Sequence, residues 1–120
     1  LDYLAKGGRI SGAARFLGSA LHLRPILFMN DGRVDALSLA RTRRRGLDQI
    51  ISEVRKRVGV GPVHAGVTHI LCPEEAAAFA EEVQQQFQCV DLFVSQAGPV
   101  LGTHSGPGFI GLIACPVDLI

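Results

Sequence analysis

Residues 98–111 read "GPVLGTHSGPGFIG", and the choice of fold turns on how these glycines are interpreted. Gly106, Gly108 and Gly111 stand at the spacing G-x-G-x-x-G, which in a nucleotide-binding domain joins a strand to a helix and is followed by an acidic residue about 20 positions on. The context does not fit. Pro107 sits inside the motif, the following "FIGLIAC" has the apolar, β-branched character of a strand, and the nine residues after Gly111 carry no acid at the required distance. A doubly wound dinucleotide domain is therefore excluded. What remains is "GTHSGPG", in which Thr103 and Ser105 supply hydroxyls, His104 has one donor and one acceptor nitrogen, and the glycines let backbone N–H groups approach an anion closely. This is suitable chemistry for holding a carboxylate. The residues alone leave a purely structural turn equally open.

Working outward, "LDYLAKGG" reads as the end of a helix stopped by Gly7 or Gly8, and Ser11 as the cap of a second helix over "GAARFLGSALHL" that Pro25 terminates. Residues 26–29 and 33–39 read as two strands joined at Asn30, Asp31 and Gly32, residue types that tolerate the positive φ of a hairpin turn. Thr42 is placed to cap a third helix, whose Leu47, Ile50, Ile51, Val54 and Val58 recur at i, i+3, i+4, i+7 and i+11. "PVHAGVTHILC" reads as a strand. Pro73 with Glu74 and Glu75 opens a fourth helix with an apolar stripe of Ala76, Phe79, Ala80, Val83 and Phe87. "CVDLFVSQAG" and "FIGLIAC" complete the order α-α-β-β-α-β-α-β-loop-β, which predicts an α/β fold: a two-layer sandwich with a mixed β-sheet and helices.

Composition narrows the function. With 48% hydrophobic residues in 120, one domain can bury a sizeable core, and a net charge of +1 gives no strong field of either sign, so nucleic acid is not expected as a partner. No apolar run reaches the ~18 residues of a membrane span, and the N-terminus has no signal-peptide pattern. Contact with a membrane is expected to be transient and at its surface at most. Cys72, Cys89 and Cys115 are odd in number and lack a C-x-x-C pair, which suits reduced thiols and a cytoplasmic location. His64 and His69 are five apart, on opposite faces of a strand, so no metal or other cofactor is expected. Ser105 beside His104 makes no catalytic triad, since neighbours in sequence do not aim at one another. The run Arg41, Arg43, Arg44, Arg45 begins a helix, where positive charge opposes the macrodipole; it reads as a solvated face or as a docking patch for an acidic partner or membrane surface. Leu1, Tyr3 and Leu4 already look like the interior of an amphipathic helix, so the chain is expected to be a piece of something longer.

"LDYLAKGGRIS", a small-residue helix, "LRPIL", "DGRV", a basic helix start and "GPVLGTHSGPGFIG", in that order over nearly the whole chain, resemble the C-terminal part of a DegV-family protein. The resemblance implies a bacterial fatty-acid-binding subunit of fatty acid kinase, not itself an enzyme, whose ligand the kinase catalytic subunit phosphorylates to acyl phosphate. It implies one C-terminal lipid-binding domain over residues 1–120, an absent N-terminal domain that grips the carboxyl group, and self-association of the fragment through the apolar wall so exposed. It also implies that Thr103, His104 and Ser105 reach the lipid head group, that Leu17, Leu21, Ile26, Phe28 and Phe109 line the tail pocket, and that Arg9, Arg43 and Arg44 dock the kinase or the phosphate. A long acyl chain releases about 0.8 kcal/mol per buried CH₂, so the tail supplies affinity and one polar cluster orients the head. The mean hydropathy of +0.28 is consistent with such a role. Two rivals stand beside this reading: a small-molecule enzyme with His104 as general base, and a nucleic-acid-binding module built on residues 41–45.

Overall fold

The computed structural model describes residues 10–11, 24–30, 33–97 and 108–119. The expected helices over residues 1–8 and 12–23 lie outside these. Ser11, expected as a helix cap, ends the two-residue strand β1 (Ile10–Ser11), which runs parallel to β3 with Ile10 beside Val34. β2 (Arg24–Asn30) and β3 (Arg33–Ala40) form the expected antiparallel hairpin, and the pairing of Asn30 with Arg33 leaves two residues for the turn. Both strands extend beyond the expected ends, and β2 bulges between Ile26 and Leu27.

α1 (Arg43–Val58) starts where the sequence requires, because the Thr42 hydroxyl accepts the Arg45 N–H at 3.1 Å. It ends at Gly59, whose φ of 75° is open to glycine at little cost and whose N–H returns to the Arg55 carbonyl. Arg55, Lys56 and Arg57 in the last turn suit the negative end of the helix. β4 (Pro62–His69) buries Val63, Ala65, Val67 and His69 on one face. α2 (Pro73–Gln86) follows, with proline at its first position and two glutamates in its first turn. Its cap residue, Cys72, makes no side-chain capping bond to the helix; the buried His69 accepts the Cys72 N–H through Nδ1 at 3.2 Å. β5 (Gln88–Gln96), β6 (Ile110–Pro116) and a 3₁₀ turn (Val117–Leu119) complete the described chain.

The two-layer α/β reading holds, with one revision. Among the described residues the strands form two three-stranded mixed sheets, β1-β3-β2 and β5-β4-β6, rather than one. In the second, β5 is parallel and β6 antiparallel to β4. Ala76, Phe79, Ala80 and Val83 of α2 pack on Val63, Ala65 and Val67, and the apolar side of α1 (Leu47, Ile50, Ile51, Val54, Val58) closes over the same core. On the opposite face of β4, a Cβ at Gly66 would stand 2.1 Å from Cζ of Phe93, so the close approach of this ring requires glycine.

Candidate functional site

α1 follows β3 directly and contacts β2 and β3 on one side and β6 on the other. It is the element that bridges the two sheets. Between the hairpin and β6 lies a cleft of about 720 Å³, within the ~300–1,000 Å³ of small-molecule sites. Leu47, Ile50 and Val54 form its floor, Ile26 and Phe28 one wall, and Leu112 part of the other. Its lining is therefore apolar along most of its length, with charged side chains from the first turn and the last two turns of α1: Arg43, Glu53 and Arg57.

At the first turn, Arg43 donates through Nη2 to the Gly108 carbonyl and through Nε to the Glu75 carboxylate. Gly108 takes a φ of 89°, which a side chain would strain. Its N–H donates to the Ile70 carbonyl at 2.8 Å, while Ala97 N–H donates to the His69 carbonyl at 2.7 Å. Residues 97 and 108, on either side of the glycine-rich stretch, are thus fastened to one corner of the molecule, where β4 ends. The Ile70 N–H and the Cys72 thiol both donate to the Phe109 carbonyl, at 3.0 and 3.4 Å, and fix Phe109 at the same corner. At the last turn, the Arg57 guanidinium lies over the Phe28 ring, 5.0 Å from its centroid. Glu53, in the turn before, is paired with Lys56 at 3.3 Å.

Of the expected tail residues, Ile26, Phe28 and Phe109 line the cleft together, and Leu17 and Leu21 lie outside the described residues. Thr103, His104, Ser105 and Arg9 lie outside them as well. Arg43 is at the cleft, and Arg44 faces away from it. Arg44 holds Asp48 and Glu82, each at 2.7 Å; its pKa is raised by the hydrogen bond to Asp48 first and that to Glu82 second. Arg41 and Arg45 are exposed, and their side chains carry no ion pair among the described residues. His64 pairs with Asp91 at 2.9 Å on the surface. Burial, and secondarily the Asp91 charge, pushes the Cys89 thiol up. Among the described residues no cluster of three His, Cys, Asp or Glu side chains is arranged for a metal ion, and no helix is long and apolar enough to cross a membrane.

Sequence reasoning missed the floor of the cleft. Leu47, Ile50 and Val54 carry the periodic signal of a core stripe, and they do pack on the core while also facing the cleft. The Arg57–Phe28 contact joins residues 29 positions apart and leaves no local signal.

A family model described as an uncharacterised protein of the DegV family matches residues 1–117. A DegV domain-containing protein of Streptomyces coelicolor is 37% identical over 114 residues, which are 94% of this chain and 41% of that protein. Among solved structures, a DegV family protein from Thermus thermophilus, described by its fatty acid binding, superposes with a TM-score of 0.87 at 32% identity, covering 98% of this chain and 42% of that one. DegV of Bacillus subtilis, described as a fatty acid binding protein, gives 0.74 at 33% identity, with 96% and 41% covered. The chain spans about two-fifths of the length of these relatives.

Proposed function

The chain belongs to the DegV family, and from that premise we propose that it is the lipid-binding part of a carrier that holds a long-chain fatty acid and presents it to a fatty acid kinase for conversion to acyl phosphate. The observation that carries this reading is the cleft: about 720 Å³, apolar along α1, and bounded by side chains of the same helix near both ends. The arginine at the first turn gives it a polar limit, and the remainder offers only dispersion and water exclusion. Such a site gains from a methylene chain and has little to offer a nucleotide or a sugar. The relatives described as fatty acid binding support the ligand class.

In this reading the acyl tail lies along Leu47, Ile50 and Val54, with Ile26, Phe28 and Phe109 beside it. The carboxylate sits at the end near Gly108, and Thr103, His104 and Ser105 are the residues assigned to hold it. The fastening of residues 97 and 108 to one corner supports this, because the stretch between them leaves and returns at that end. A charge-assisted hydrogen bond of about 1.5–3 kcal/mol from this stretch would suffice to orient the head. The protein itself catalyses nothing, and Arg9, Arg43 and Arg44 serve docking of the kinase or the phosphate, for which Arg43 and Arg44 would exchange their present carboxylate partners for the incoming group. We place it in the cytoplasm, consistent with the three free cysteines. The two-fifths coverage of the relatives supports a C-terminal domain that works beside an N-terminal one supplied by a longer polypeptide.

Mass spectrometry of the ligand released from the full-length polypeptide, purified mildly from bacteria, tests the reading. A long-chain fatty acid at roughly one per protein is expected. A nucleotide in its place, or no ligand together with failure to take up added palmitate or oleate, would overturn it.

A further inference from the structure

We infer that Arg57 and Phe28 together close the tail end of the cleft and so set the length of acyl chain it accepts; this rests on the fatty-acid reading above. Arg43 and Arg57 both line the cleft and are 14 residues apart on α1, which at about 1.5 Å per residue separates them by about 21 Å. A fully extended chain advances about 1.2 Å per bond, so some 17 bonds fit between the two arginines. An acid of 16 to 18 carbons with its head at the Gly108 end therefore brings its terminal methyl to the Arg57–Phe28 contact.

The character of this closure suits a tail rather than a head. The guanidinium lies over the aromatic ring 5.0 Å from its centroid, an arrangement in which a weakly hydrated, planar cation is held by the ring face. Glu53, which also lines the cleft, puts a carboxylate one turn away, so this end carries both signs of charge. Lys56 answers Glu53, and Arg57 has no carboxylate partner among the described residues. At the other end, Arg43 is fixed by Glu75 and the Gly108 carbonyl, beside the glycine-rich stretch. The two ends thus differ in kind.

The test is competition binding of C14, C16, C18 and C20 saturated acids to the full-length polypeptide, wild type against R57A, F28L and R57K. Each further methylene that finds cover is worth about fourfold in affinity. R57A should therefore raise the C20-to-C18 affinity ratio by about fifteenfold, for two added methylenes, and F28L should raise it in the same direction. R57K keeps the charge and loses the planar stack, and should move in the same direction as R57A. Arg57 is exposed, so its variants should fold; circular dichroism on each confirms it. An unchanged ratio in folded R57A and F28L would overturn this inference while leaving the fatty-acid reading intact. So would a loss of all chain lengths alike in R57A and not in R57K, which would make Arg57 a head-group partner. Wild-type protein that bound none of the acids would instead fail the underlying reading.

Discussion

Gly46 offers the cleanest way to ask whether the cleft is where the tail lies. It is buried within α1, lines the cleft one turn from Arg43, and a Cβ built on it would meet only the Ala40 Cβ, at an ordinary 3.5 Å. Alanine should fit without moving the backbone. Because glycine in a helix interior costs about 1 kcal/mol relative to alanine, G46A should be the more stable protein, by a few degrees in Tm. Leucine keeps most of that helix preference and adds three more carbons at a position that lines the cleft. They would displace about three or four methylenes of a bound chain. At about 0.8 kcal/mol each, that is about 2.5–3 kcal/mol, or affinity weaker by about a hundredfold. G46A, displacing one at most, should lose less than about fivefold. The assay is displacement of a fluorescent fatty acid from the full-length polypeptide, with thermal denaturation run beside it. A G46L protein that melts at or above the wild-type temperature and binds as tightly would refute the assignment of the tail to this cleft. Equal losses in G46A and G46L would refute the volume argument.

Two further outcomes follow from the core and the thiols. Phe79 is 1% exposed and fully enclosed by the β4 face, so F79A should cost about 3–5 kcal/mol and lower Tm by more than about ten degrees, measured by calorimetry. Cys89 holds its proton above the ordinary thiol pKa, so its iodoacetamide alkylation at pH 8 should be slower than that of a free cysteine, and D91N should restore part of the rate. The linked stability has the corresponding sign: it is fully present below the ordinary thiol pKa and is lost as pH rises through the raised native value.

The elements that could be read from the sequence are those whose causes are local. α1 is announced by a threonine cap and five apolar residues at helical spacing, and the structure returns Arg43–Val58 with the Thr42 bond in place. The hairpin follows from three residues that accept turn conformations, and α2 from a proline and two acids. Sheet partition was illegible because pairing is a long-range choice: the string that forms β4 would serve as well in one large sheet as between β5 and β6. The arginine run shows the same limit. As a string it is one basic patch, yet Arg43 reaches Glu75 and Arg44 reaches Glu82, partners 32 and 38 positions away, which leaves Arg41 and Arg45 as its unpaired side chains among the described residues.

Those pairings also bear on how an amphiphile would be handled. Sixteen methylenes under full cover would release about 13 kcal/mol, more than most ligands realise in net affinity, so the apolar cleft needs no strong charge to hold its guest. A bare cation at the polar end would add affinity for any anion, chloride or phosphate included, and would blur selection. Arg43 is not bare. Its guanidinium is shared between a carboxylate and a backbone carbonyl, which neutralises its charge and fixes its position. On the proposed reading, capture of the head would then fall to neutral donors, the hydroxyls of Thr103 and Ser105 and the imidazole of His104, which discriminate by geometry. On that reading affinity would come from the apolar lining along α1, and orientation from the corner to which residues 97 and 108 are fastened. A carrier that must release its ligand to a second protein benefits from that separation, because the head can be freed by local rearrangement at one corner while the tail remains covered.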